Sequence, residues 1–295
     1  MEPGGGPRVA FPARARLGEG PAWDGEAGVL WWVDIHNHRV HRFDPATGRD
    51  RAWEVGEVVV CAVPAAGGRV LLALRRGLAL LDPVAGRLER TATILPERPG
   101  LRFNDGKCDP RGRFWVGSLS AQDGGGALYR CDPDGSVREV ERGLTMSNGL
   151  GWSPDARTFY LTDSPAKVIY AFDFDVEAGT LSGRRVFADL TDGDPVPDGL
   201  AVDAEGCVWS AQWDGGCLLR FAPDGRRVER VPVPVRNPTS CAFGGSDGRD
   251  LYVTTASAGL GEDDFDGAGF HAGDLFRLRA AVAAPPAFRF GGAPG

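Results

Sequence analysis

The chain has 295 residues, 42% of them hydrophobic and 25% charged, and a formal net charge of −7. This is the balance of a soluble, well-cored globular protein, and its negative sign excludes a nucleic-acid or anionic-membrane partner. No run of about 18 apolar residues is present to span a bilayer.

The first residues, Met1 to Gly6, lack the basic stretch and apolar core of a signal peptide, so a cytoplasmic location is expected. The six cysteines (Cys61, Cys108, Cys131, Cys207, Cys217 and Cys241) are scattered without Cys-x-x-Cys spacing and read as small buried hydrophobes.

The 43 glycines and 22 prolines break the chain at short intervals, and the segments between are rich in Val, Leu, Phe, Trp and Tyr. No 3.6-residue periodicity survives the breaks, which makes the pattern all-β. In chain order, Arg8-Val9-Ala10-Phe11 is a strand ahead of the first repeat. Glu19–Asp24 then leads to the strand Leu30–Asp34, and Val59–Pro64 leads to Val70–Leu72. Asn104–Asp109 leads to Phe114–Gly117, and Asn148–Ser153 leads to Phe159–Asp163. Asp198–Asp203 leads to Val208–Ser210, and Thr239–Gly244 leads to Leu251–Thr254. The first positions are separated by 40, 45, 44, 50 and 41 residues. A period of about 40–50 residues with several strands per unit is the propeller signature. Six units fill residues 1–295 as one domain, a six-bladed β-propeller with short flexible ends at about 1–6 and 283–295. The last unit runs short near Leu275–Leu278, and the Arg8–Phe11 strand is expected to complete it and remove an exposed edge.

Innermost strands of a propeller surround one axis, so equivalent positions near their starts form a ring at one mouth. That ring reads Glu19, Val59, Asn104, Asn148, Asp198, Thr239. A single Asn-Gly or Asp-Gly would be only a turn or a strand cap. Two carboxylates and two carboxamides in phase on an apolar axis are costly unless something satisfies them. A divalent cation does so, and three protein ligands would leave room for water and substrate. Oxygen donors favour Ca, Mg or Mn over Zn. None of His36, His38, His41 and His271 falls in the ring.

Four segments also carry a family likeness: Leu17-Gly18-Glu19-Gly20-Pro21, Arg102-Phe103-Asn104-Asp105-Gly106-Lys107, Ser147-Asn148-Gly149-Leu150 and Pro197-Asp198-Gly199-Leu200. The sequence resembles the gluconolactonase/regucalcin (senescence marker protein) family, which includes luciferin-regenerating enzyme, over nearly its full length. The resemblance implies a metal-dependent lactonase with Glu19, Asn148 and Asp198 as metal ligands. It further implies that Arg102 and Asn104 contact the substrate, a small sugar lactone, and that Asp198 doubles as general base. Sugar lactonases of the family often carry a substrate-contacting glutamate shortly after the segment matching Gly117. Here Gln122, in a short glycine-rich loop, is expected to take its place, keeping an acceptor and losing the charge.

No Gly-x-Ser-x-Gly elbow surrounds a serine, and no glycine run links a strand to a helix as a phosphate loop does. The acidic stretch Glu262–Gly267 lacks the ligand spacing of an EF-hand and reads as a solvated loop. A propeller esterase or phosphotriesterase and a non-catalytic calcium-binding propeller are the competing readings. The assembly is expected to be a monomer or dimer.

Overall fold

The computed structural model describes residues 6–193, 195–261 and 270–292; the acidic stretch at 262–267 lies outside them. Among the described residues, strand follows strand with one 3-10 turn at Ala66–Gly68. A short strand β1 (Arg8–Phe11) comes first. The first blade is β2 (Gly18–Asp24), β3 (Val29–Asp34), β4 (Arg39–Asp44) and β5 (Arg49–Glu54), and the second is β6 (Val59–Pro64), β7 (Val70–Leu74), β8 (Gly77–Asp82) and β9 (Arg87–Thr93). The third is β10 (Arg102–Cys108), β11 (Phe114–Leu119), β12 (Gly126–Cys131) and β13 (Val137–Leu144). The fourth is β14 (Ser147–Trp152), β15 (Thr158–Asp163), β16 (Val168–Asp175) and β17 (Thr180–Asp189). The fifth is β18 (Val196–Val202), β19 (Val208–Trp213), β20 (Cys217–Phe221) and β21 (Arg227–Pro232). The sixth holds β22 (Pro238–Gly244), β23 (Asp250–Thr255), β24 (Leu275–Arg279) and, outermost, β1.

Each blade is thus a four-stranded antiparallel sheet, and the six make a β-propeller. Each inner strand packs against the inner strands on either side, and β22 packs against β2, so the ring of blades closes. Closure brings residues from the two ends of the chain into one sheet: Arg8 stands opposite Arg277 and Phe11 opposite Leu275. This gives the last blade an outer strand that its own sequence lacks.

Burial along the blades follows radius. Inner strands are buried throughout, as in β6 and β14, whereas outer strands such as β5 and β21 are mostly exposed. Aromatic rings fill the wedges between blades. Trp115 of the third blade meets Trp152, Phe159 and Phe174 of the fourth with ring centroids 5.4–6.0 Å apart. Buried aspartates at equivalent positions fasten indoles: Asp109 accepts from Trp115 Nε1 at 2.9 Å, and Asp203 accepts from Trp209 Nε1 at 2.9 Å.

The inner strands share a further device. In all six, the ladder to the second strand skips one residue near the start. Glu19 pairs with Val33 but Ala22 with Trp31; Phe103 pairs with Ser118 but Gly106 with Val116. The same skip lies between Ser147 and Leu150, between Pro197 and Leu200, and after Val59 and Pro238. A bulge re-aims the residues it leaves unpaired; Asn104, Asn148 and Asp198 fall in the skipped stretches, and Glu19 is the paired residue immediately before its own.

The C-terminal end, expected to be loose from residue 283 onward, is held over 283–292. Ala284 donates to Gly248 O, Phe290 to Pro64 O and Gly291 to Gly112 O at 2.9–3.0 Å, and Arg289 reaches Asp24 at 2.8 Å. Residues 284–288 thereby lie over the mouth opposite the ring, where they line a small cavity. Among the described residues, no helix is long and apolar enough to cross a membrane.

Inner strands approach so closely at the bulges that some positions admit no side chain. A Cβ on Gly199 would overlap the side chain of Ser240, and one on Gly149 would lie 2.5 Å from Leu200 N. Gly199→Ala should lower stability by about 1–3 kcal/mol, measured by denaturant unfolding. A loss under about 0.5 kcal/mol would show that the blades separate more easily than this packing implies.

Candidate functional site

The bulges deliver Glu19, Asn104, Asn148 and Asp198 to one cavity of ≈ 380 Å³ at the mouth where the inner strands begin. Its size lies in the range of small-molecule sites. Arg102 joins them, so five of the six residues singled out in the sequence share one wall-lined space. The sixth does not: Gln122 is exposed in the turn at 120–125, outside the lining. Ser120 Oγ accepts the Gln122 N–H at 3.1 Å and Gln122 O accepts from Gly125 at 3.0 Å, which closes the short loop on itself at the surface.

The four ring side chains are differently engaged. Asn104 is spent on the protein: its Oδ1 accepts from Arg102 at 3.0 Å and its Nδ2 donates to Ser147 O at 3.1 Å. Arg102 also donates to Phe103 O at 2.8 Å, so the two act as a braced pair. Asn148 uses only its donor side, giving Nδ2 to Ser164 Oγ at 3.1 Å while Ser164 donates on to Pro197 O at 2.7 Å. That chain turns Asn148 Oδ1 away from every donor, and it is left without a hydrogen-bond partner, as is Asp198 Oδ1. Glu19 Oε2 accepts from Gly20 N at 2.9 Å.

The electrostatics are correspondingly tense. Burial pushes the carboxyl groups of Glu19 and Asp198 well above the usual range, and repulsion adds to it: Asp198 and Asp105 act on Glu19, and Asp105 acts on Asp198. Asn148 and the Gly199 N–H pull Asp198 the other way. Burial lowers Arg102 to about 10, with Glu19 opposing. Asp105 is also pushed up by burial, with Lys107 opposing.

These observations test the metal reading through the donor set. Two buried, unpartnered oxygens and an adjacent carboxylate that repels its neighbour are what an oxygen-ligated cation would satisfy. The unpartnered oxygens belong to Asn148 and Asp198, beside Glu19, whereas both amide atoms of Asn104 already carry a hydrogen bond. Another group, Asp203, Glu205 and Cys207, brings three potential ligand atoms within 4.8 Å of one another. There Asp203 is already saturated, taking N–H groups from Glu205, Cys207, Trp209 and Arg220 at 2.7–3.0 Å. Burial raises the Cys207 pKa, and Asp203 adds to it, so the group holds its thiol proton. That group fastens a blade.

Comparison with known proteins shows the family. The SMP-30/Gluconolactonase/LRE-like region matches residues 17–257. The chain belongs to this family. Pentonolactonase XacC of Haloferax volcanii is 39% identical over 93% of this chain and 94% of its own. A 6-deoxy-6-sulfogluconolactonase of Pseudomonas putida is 41% identical over 81% of this chain and 83% of its own. Among solved structures, a calcium-binding protein, regucalcin, from Agrobacterium tumefaciens superposes with a TM-score of 0.91 at 30% identity, covering 98% of both chains.

The sequence reading missed the apolar side of the cavity: Leu17, Ile35, Met146, Pro165, Val196 and Trp213. Its signal was present in two aspartates at matching strand ends. Asp34 accepts from Arg16 N and Leu17 N at 3.0–3.1 Å, and Asp163 accepts from Thr145 N and Met146 N at 3.0 Å. Each holds the loop entering an inner strand and so presents an apolar side chain to the cavity.

The raised carboxyl groups have a thermodynamic consequence in ion-free protein. Stability from their protonated forms is fully present below the ordinary carboxylate range and is lost as pH rises through the raised folded values. Ion-free protein should therefore melt higher at about pH 5 than at about pH 8. Asp198→Asn should shrink the difference and raise the Tm near pH 8 by about 2–4 °C. A Tm for that variant below wild type near pH 8 would contradict the repulsion described here.

Proposed function

We propose that this protein hydrolyses a small sugar lactone at a divalent cation held by Glu19, Asn148 and Asp198. The observation that carries the reading is the pair of buried, unpartnered oxygens, Asn148 Oδ1 and Asp198 Oδ1, beside Glu19 in a cavity of substrate size. Relatives named as a pentonolactonase and a 6-deoxy-6-sulfogluconolactonase support the reaction, and the calcium-binding regucalcin supports the cation.

When bound, the cation would supply positive charge to polarise the lactone carbonyl and keep both acids ionised. Glu19 and Asp198 would hold its charge, and Asn148 would supply a neutral oxygen. Asp198 accepts a proton from the water that attacks the acyl carbon. When the ring C–O bond breaks, the same proton passes to the departing ring oxygen and gives the open hydroxy acid. Arg102, fixed through Asn104 and Phe103 O, donates to the substrate's oxygens and orients the ring without searching rotamers. The apolar side of the cavity keeps bulk water from the reacting atoms and strengthens each charge interaction there.

Chelator-stripped protein should open aldonolactones no faster than buffer and regain activity on re-supply of Ca²⁺, Mg²⁺ or Mn²⁺, with Zn²⁺ less effective. Asp198→Ala should lower kcat by about a thousandfold while its circular dichroism stays native. Arg102→Met should raise KM by about tenfold or more. Wild-type turnover by Asp198→Ala, or no activity with any of the four ions across several aldonolactones, would overturn the proposal.

A further inference from the structure

Below the ring, the axis has a layered composition. One position further along each inner strand stand Gly20, Val60, Asp105, Gly149, Gly199 and Ser240. Three positions along, Ala22, Lys107, Gly151, Ala201 and Ala242 line the cavity of ≈ 110 Å³ at the opposite mouth, with Val63 beside them. In each layer one blade alone supplies a charged side chain, and the same strand, β10, supplies it both times. Its neighbours there are small.

Lys107 is the one long side chain among these residues. Its Nζ donates to Leu200 O at 2.8 Å. Leu200 lies in β18 of the fifth blade, two residues beyond Asp198, so Lys107 reaches past the fourth blade to the fifth. Asp105 is buried, and its carboxylate takes the Gly106 N–H at 2.7 Å. Glu19, Asp198 and Asp105 thus place three acids on one axis, with Lys107 as the cation beneath them. Residues 284–288 cover that end.

We infer that Lys107 is a built-in axial cation that offsets Asp105 and thereby sets how tightly the site above it takes a divalent ion. The inference rests on the ion-site reading of Glu19, Asn148 and Asp198. Without Lys107, Asp105 would add its full negative charge to the field at that site. Without Asp105, Lys107 would oppose the incoming ion. Lys107 acts through charge and through its bond to the strand carrying Asp198, so it is a positioning residue and touches no substrate.

The test is Mn²⁺ and Ca²⁺ titration calorimetry on full-length wild type, K107M, D105N and the double variant, with thermal melts of each in ion-free buffer. A unit charge added or removed beside an ion site in a partly polar interior shifts affinity by about tenfold. K107M should bind about tenfold tighter and D105N about tenfold weaker, with the double variant within about threefold of wild type. A lesion that merely loosened the fold would weaken binding in both single variants, and that result overturns the inference. So does K107M binding like wild type. If K107M fails to fold, the double variant, neutral at both positions, should still fold and bind; failure of both overturns the inference as well. Should wild type bind neither ion, the proposed function falls, while the melts still decide the role of Lys107. In that case K107M must melt below wild type and D105N/K107M must recover most of the loss, and a double variant no better than K107M contradicts it.

Discussion

Glu19 and Asp198 are carboxylates buried close together at one end of an apolar channel, and the architecture around them follows from that constraint. Two such charges repel and lose their hydration, so the fold must either keep them protonated or supply a positive partner. Arg102 offsets Glu19 only in part. One bulge takes Asp198 out of its ladder and another begins right after Glu19, and the Asn148–Ser164–Pro197 chain leaves one more bare oxygen at the same place. A structural core has no use for such an arrangement. It stores unfavourable free energy at one point, and six packed sheets hold it there.

The rest of the axis is charged on one strand only. Glycines next to the ring residues let the inner strands approach until a Cβ would collide. Strand β10 places Asp105 and then Lys107 below, so negative charge at the mouth gives way to positive charge near the covered end. Arg102 braces the rim of the cavity from the same strand. One strand therefore carries the arginine of the cavity, a buried acid and the lysine that reaches the fifth blade. That explains why its sequence is so polar for a buried position.

How much of this the sequence shows depends on what repeats. Six in-phase units specify the propeller, because each blade needs the same strand and turn chemistry. The same phase brings Glu19, Asn104, Asn148 and Asp198 to one mouth without reference to any structure. Features set by single loops are invisible to that logic. Gln122 belongs by sequence order to the right region, yet a turn hydrogen-bonded within itself leaves it on the surface. The segment 283–292 has the alanine, proline and glycine content of a loose end, but backbone bonds to the second, third and sixth blades hold it across the channel. The bulges leave no compositional trace beyond their glycines. Asn104 and Asn148 are alike in sequence, and only their hydrogen bonds separate a bracing amide from one with a free oxygen.

The central claim is that Glu19, Asn148 and Asp198 converge on one divalent cation. Its most direct test is a crystal structure grown with Mn²⁺ and measured near the manganese absorption edge. The account predicts one anomalous peak on the propeller axis, bonded by oxygen atoms of these three residues, with Asn104 still bound to Arg102 and Ser147. An empty axis at saturating Mn²⁺, or a peak at Asp203, Glu205 and Cys207 in its place, would contradict it.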